Sequence, residues 1–340
     1  MCQEGWLLTC CTNKIEACHV EYKMEKSPKT LKQRLIARLE WFPIELGLFI
    51  LPRLSRPMLL RLVRVMAVVG LCLDIKGRRF AVENIRFVFP KLSKRRRYAI
   101  LVGCYRNFTR VLFDMFWFGG RQDAERIRQW APLTSSWRTF LELPGPKVIV
   151  TAHHGNWEIG GQMVVANGFP LMSVGSPLGT PETTRKLNAF RAGLGQEIVS
   201  SDGAVAHLFR ALRKGKNVAL LADQHLWHKK GGVWTQFLGH SAQLAPTPAY
   251  FARRVPGLLI GVAFLRARAD GSYWCSPPTV IEPGTEASIE GLTQQIADAS
   301  AKLIRRYPTQ WLFAYSLWRD LPKGCDGVGW PSYARPQRNP

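Results

Sequence analysis

From Lys147 onward the chain alternates short apolar runs with amphipathic stretches. Val148–Ala152, Leu171–Gly175, Glu197–Ser200, Val218–Ala222, Leu258–Leu265 and Trp274–Ile281 predict strands. Residues 156–166, 181–193, 203–213, 246–254 and 289–307 place apolar side chains at helical spacing, with Gly193 and Gly215 as stops. Strand and helix in alternation predict an α/β fold: a mixed, mostly parallel sheet flanked by helices on both faces.

The first half reads differently. Leu31–Trp41 predicts a short amphipathic helix carrying Lys32, Arg34 and Arg38. Phe42–Leu73 is apolar but interrupted by five charged residues and by Pro43, Pro52 and Pro57. Its longest charge-free run, Val65–Leu73, is well short of the roughly 20 residues that cross a bilayer. Pro57 suits a first helical position, and Arg61 and Arg64 share a face opposite Leu, Val and Met. That pattern predicts a helix lying in a membrane interface. The alternatives are a core-packing helix with a solvated basic face, or a spanning helix whose arginines snorkel. Phe80–Pro90 and Ser93–Phe118 predict further helices, the second with a core stripe of Tyr105, Phe108, Leu112, Met115 and Phe116. The organisation expected is an irregular extension over 1–30, a membrane-associated helical segment over 31–75, the main domain over 76–325 and an irregular tail over 326–340.

Charge sharpens this. The 340 residues carry 47 Lys and Arg against 24 Asp and Glu, a net +23. Fourteen basic and only four acidic residues lie between Lys76 and Arg128. An excess this large implies an anionic partner. No helix-turn-helix, ribonucleoprotein or zinc-finger signature directs it to nucleic acid. None of the eight cysteines forms a C-x-x-C pair, which favours a reduced, cytoplasm-facing protein and no zinc site. Met1–Met24 lacks the basic and apolar succession of a signal peptide.

The candidate chemistry lies at the first strand-to-helix corner, Ala152-His153-His154-Gly155-Asn156-Trp157-Glu158. His153 can take a proton from a hydroxyl, and Glu158 can fix its tautomer and stabilise the cation. Gly155 permits close approach of backbone to ligand, and the helix start beyond it offers N–H groups to an anion. A zinc site is the rival, but adjacent His153 and His154 point to opposite sides of an extended segment, and no third ligand has metalloprotease spacing. His154 is expected to be structural.

These residues resemble the active-site block of the lysophospholipid acyltransferase superfamily, and more narrowly the bacterial late acyltransferases of lipid A biosynthesis. Glu158 stands where the wider superfamily usually has Asp, as is common in the lipid A branch. Further blocks follow in order over about residues 42–320. They are Gly77–Pro90 with Arg79, Glu83 and Asn84; Phe190-Arg191-Ala192-Gly193; Leu220-Leu221-Ala222-Asp223-Gln224; Phe237-Leu238-Gly239 through Ala245–Pro248; and Tyr307-Pro308-Thr309-Gln310-Trp311-Leu312 with Trp318-Arg319.

The resemblance implies a glycerol-phosphate-acyltransferase-like fold. It also implies transfer of a fatty acyl chain from an acyl carrier protein or acyl-CoA thioester to a hydroxyl of a lipid A precursor glycolipid. It places the work at an anionic membrane, the cytoplasmic face of the bacterial inner membrane, with no cofactor or metal and no nucleic acid. His153 would be the base and Glu158 its orienter. Helix N–H groups near Gly155–Trp157 or Arg191 would stabilise the oxyanion. Arg191 would grip a phosphate, with Asn156, Gly155, Asp223 and Gln224 on the substrate side; for Asp223 and Gln224 a structural role is equally open. The competing readings are acylation of another glycolipid or a lysophospholipid, a lysophospholipase using the same dyad on water, and a non-enzymatic basic binding protein.

Overall fold

The computed structural model describes residues 45–119, 123–176, 181–284 and 287–336. The helix expected over Leu31–Trp41 and the extension over 1–30 lie outside them.

Helix α1 (Arg56–Leu73) has Pro57 in its first turn. It buries Leu59, Val63, Ala67 and Leu71, one face at i, i+4 spacing, and packs along α3 (Lys94–Gly119). The opposite face exposes Arg61, Arg64, Val65, Met66, Val68 and Val69. Among the described residues no helix is long and apolar enough to cross a membrane. Helix α2 (Ile75–Val88) starts five residues before the predicted Phe80, because Asp74 caps it by accepting from Gly77 N at 2.8 Å. At 26 residues α3 is about 39 Å long, and it packs against α1, α2 and the turn Pro308–Gln310. Two short helices, α4 (Ala124–Trp130) and α5 (Ser135–Glu142), follow where the sequence pattern predicted none.

The main sheet holds β1 (Lys147–Thr151), β2 (Leu171–Gly175), β3 (Glu197–Ser200), β4 (Asn217–Leu221), β7 (Leu259–Val262) and β10 (Thr279–Ile281), in the order β10-β7-β1-β4-β2-β3. All neighbours are parallel except β10, antiparallel on the β7 edge. The crossovers include α6 (Trp157–Ala166), α7 (Pro181–Ala192), α8 (Ala204–Arg213) and α9 (Thr247–Ala252); α10 (Ile289–Arg306) follows β10. Alternate residues of β1 divide between two cores. Val148 and Val150 pack with Leu208, Leu212, Phe251, Leu292 and Ile296 on one face. Ile149 packs with Ile159, Met163, Trp137 and Phe140 on the other. A third core joins α2 and α3 to α10 and the chain around Trp311 and Trp318.

Two expectations are corrected. The predicted strands Leu258–Leu265 and Trp274–Ile281 each divide, giving β7 with β8 (Leu265–Ala267) and β9 (Tyr273–Cys275) with β10. Pro277-Pro278 offers no N–H to a ladder and separates the second pair. The predicted loop after β4 contains an antiparallel hairpin, β5 (Val233–Phe237) and β6 (His240–Leu244), turned by Leu238-Gly239, both at positive φ. The segment expected as an irregular tail is mostly turns over 326–336, and it docks on the fold. Ser332 donates through N and Oγ to Glu83 at 2.6 and 2.8 Å, and the Tyr333 hydroxyl donates to Asn84, clamping it to α2.

Candidate active site

Strands β1 and β4 are parallel neighbours with Thr151 level with Leu221. Two residues beyond each, at the same sheet edge, stand His153 and Asp223. The Asp223 carboxylate takes the imidazole at 2.8 Å (Nδ1 to Oδ1) and accepts the His153 backbone N–H at 2.8 Å through Oδ2. Oδ2 also accepts Trp311 Nε1–H at 2.8 Å, and the Tyr315 hydroxyl donates to the Asp223 carbonyl. An ionised carboxylate only accepts, so Nδ1 carries the proton and Nε2 presents its lone pair outward. There it meets Gln224 Nε2 at 3.4 Å. The ring stands edge-on to Trp157, centroids 5.0 Å apart.

The ring's partner is therefore Asp223, whereas the spacing suggested Glu158. Glu158 is held by Arg191 in a two-pronged pair, Nε to Oε2 at 2.8 Å and Nη2 to Oε1 at 2.6 Å. Arg191 also donates to Asn188 Oδ1 at 2.9 Å. The guanidinium expected to face a phosphate thus faces the carboxylate expected to face the imidazole. Glu158 reaches His153 through its charge alone. Burial by itself favours the neutral ring, but the Asp223 charge and hydrogen bond, with the Glu158 charge added, raise His153 above the usual imidazole value. Burial would raise Asp223, but the His153 charge and the three hydrogen bonds outweigh it and hold the carboxyl below its usual range.

Gly155 and Asn156 hold the corner rather than face the cavity. Gly155 has φ +68°, and a Cβ there would lie 2.1 Å from the Leu265 carbonyl oxygen. Its N–H donates to the Gln310 carbonyl at 2.9 Å, and its own carbonyl accepts from Asn107 Nδ2 at 2.8 Å. Asn156 N–H donates to the Leu265 carbonyl at 3.0 Å, while its side-chain oxygen caps α6 by accepting from Ile159 N at 3.1 Å. That leaves the N–H groups of Trp157 and Glu158, the first two helical residues, as the unpaired donors inherent in a helix start. His154 points away, stacked on Phe264 with Nε2 at 3.0 Å from the Tyr307 carbonyl; burial pushes its pKa down to about 4.

A cavity of about 540 Å³ opens at this edge, with His153, Trp157, Glu158, Arg191, Gln224 and Leu312 at its polar end. It passes beneath α6, between Gly160, Met163 and Val164 above and Ile149, Ala219 and Leu171 of the sheet below, toward Met115, Trp137 and Cys275. Two features of the sequence bear on it: the Gly160-Gly161 pair, which weakens a helix by about 1 kcal/mol per residue, and the apolar stripe of α3, expected in the core, whose Phe108, Leu112 and Met115 line the cavity, with only Met115 of the three buried. Among the described residues no three His, Cys, Asp or Glu side chains gather as metal ligands.

Residues 24–320 match the sequence family described as bacterial lipid A biosynthesis acyltransferase. Among individual proteins, the chain is similar to a phosphatidylinositol mannoside acyltransferase of Mycolicibacterium smegmatis, 24% identical over 193 residues, covering 56% of this chain and 59% of that protein. It is likewise similar to the phosphatidylinositol mannoside acyltransferase of Mycobacterium tuberculosis, 24% identical over 177 residues, covering 50% and 54%. The chain thus spans a little over half the length of the curated relatives it matches. With the matched family extending over most of its length, the chain belongs to the bacterial lipid A biosynthesis acyltransferase family.

Proposed function

We propose that the protein transfers a fatty acyl chain from a carrier thioester, on acyl carrier protein or CoA, to a hydroxyl of a lipid A precursor. The observation that carries this is a tautomer-fixed histidine whose Nε2 meets the Gln224 side chain at 3.4 Å, at the mouth of a largely apolar cavity. In the proposed reaction the acceptor hydroxyl displaces Gln224 from Nε2. Its proton passes to His153 as its oxygen bonds to the thioester carbonyl carbon. The tetrahedral oxyanion is held by Trp157 and Glu158 N–H. Collapse breaks the carbon–sulfur bond, and the departing thiolate takes the proton back from the imidazolium, leaving an ester and a free thiol. Asp223 holds the ring and supports its positive charge throughout, while Glu158, fixed by Arg191, adds a second, through-space contribution. The acyl chain occupies the cavity under α6, ending near Trp137 and Cys275.

The exposed face of α1 fits the same reading. Met58, Val65, Val68 and Leu73 are 52%, 60%, 55% and 75% exposed, beside Arg61 and Arg64. Apolar and basic side chains on one surface suit an anionic bilayer, which keeps the enzyme at the cytoplasmic face of the inner membrane where its lipid acceptor lies. A second acceptor class is favoured by the named relatives, which are phosphatidylinositol mannoside acyltransferases: a mannosylated or other glycolipid hydroxyl. Purified enzyme with a panel of acyl thioesters, offered a tetra-acylated lipid A precursor, a phosphatidylinositol mannoside and a lysophospholipid in turn, separates these by product mass. Mass gain on the lipid A precursor is expected. Gain only on another acceptor would replace the lipid A reading, and release of free fatty acid alone would make the enzyme a hydrolase.

A further inference from the structure

Beneath the start of α6 lies a charged cluster with no part in the chemistry above. Arg56 of α1 and Arg110 of α3 share one carboxylate, Asp114. Arg56 pairs with both its oxygens, and Arg110 Nε reaches Oδ2 at 3.3 Å. The three residues are only 4%, 7% and 0% exposed. Their remaining guanidinium N–H groups donate to the carbonyls of Arg268, Gly271 and Ser272, in the turn between β8 and β9. Two guanidiniums on one carboxylate leave a buried positive excess. Such clusters add little stability beyond what apolar packing of the same volume gives, so stability alone does not account for it.

Tyr273 connects the cluster to the site. Its hydroxyl donates to Asp114 Oδ2 and accepts Asn156 Nδ2–H at 2.7 Å. A phenol has one proton. With that proton on Asp114, the hydroxyl can only accept from Asn156, which turns the amide nitrogen toward Tyr273 and the amide oxygen toward Ile159 N, 3.1 Å away. The direction of every bond in the chain, from the arginines to the helix cap, is thereby set by the charge of Asp114. We infer that Tyr273 is a positioning residue: through Asn156 it fixes the first turn of α6, whose Trp157 and Glu158 N–H groups receive the oxyanion. This rests on the acyl-transfer reading given above.

Tyr273→Phe removes the hydroxyl and keeps the ring. Tyr105→Phe is the matched control, because the Tyr105 hydroxyl makes the same kind of bond, to Asp74 Oδ2 at 2.8 Å, away from the site. For Tyr273→Phe we expect kcat to fall roughly 10- to 100-fold at unchanged KM, the scale of a displaced rather than deleted oxyanion donor. We also expect faster hydrogen exchange at the Ile159 amide. Tyr105→Phe should change neither. Unchanged exchange in Tyr273→Phe, or faster exchange with kcat equal to the control, overturns the inference. A wild-type enzyme that acylates no acceptor would sink the acyl-transfer reading instead, while the exchange comparison would still decide whether Tyr273 sets the helix start.

Discussion

At the scale of single residues, the site is two charge pairs on neighbouring elements. His153 is paired with Asp223, and Glu158 with Arg191. The pairs have different tasks, and substitution should separate them. His153→Ala removes the base and should cost roughly 10²–10⁴-fold in turnover, with the thermal transition little changed. The Glu158 and Arg191 side chains are 13% and 11% exposed, so removing Arg191 strands the Glu158 charge. Arg191→Met should therefore lower stability by about 3 kcal/mol, and the double variant with Glu158→Gln should recover much of that loss in a denaturant titration. Equal destabilisation in the single and double variants would show that the pair is not the reason Arg191 is held. His153 and Glu158 were visible in the sequence as a spacing, and Asp223 as part of a block that resembles the family. That Asp223 holds the imidazole was not visible, because it depends on β4 lying beside β1, 70 residues away along the chain.

At the scale of elements, strands were legible as short, mostly apolar runs alternating with helical stretches after Lys147, such as Val218–Ala222, since a strand buried on both faces needs no alternation. Their boundaries failed where one long run served two sheets, as around Ala263 and Pro277. Helices α4 and α5 were too short for periodicity to register, and the β5–β6 hairpin was hidden by Gln236, Ser241 and Gln243 among its apolar positions. The β1–α6 corner is a tight joint. Gly155→Ala would place a methyl against the Leu265 carbonyl at a positive φ. We expect at least about 1–3 kcal/mol of destabilisation, measured by denaturant midpoint, and loss of activity as the helix start moves. A variant with wild-type midpoint and turnover would show that the corner is not strained as described.

At the scale of the whole molecule, the +23 charge divides into buried and surface parts. Arg56 and Arg110, which composition alone counts toward an anion-binding surface, are internal. Arg61 and Arg64 are exposed beside apolar side chains on α1. The helix is anchored to the rest of the fold: Arg56 ties its first turn to Asp114 of α3. Reversing both exposed arginines, Arg61→Glu with Arg64→Glu, should therefore leave the fold intact and weaken partition onto anionic vesicles by at least about 2 kcal/mol, roughly 30-fold, with little effect on zwitterionic ones. Unchanged sedimentation with anionic vesicles would move the membrane contact elsewhere. The account as a whole depends on His153, poised by Asp223, being the base for acyl transfer, and the dependence of kcat/KM on pH tests this most directly. A base must be neutral, so activity should rise with pH through the raised His153 pKa, placing the acid limb above the ordinary imidazole value of 6.5. Asp223→Asn removes the main cause of that elevation and leaves burial in place; the limb should move to lower pH while the plateau rate falls. Glu158→Gln, which removes only a through-space charge, should move it less. An acid limb that Asp223→Asn leaves in place, or that Glu158→Gln shifts further than Asp223→Asn does, would contradict the assignment.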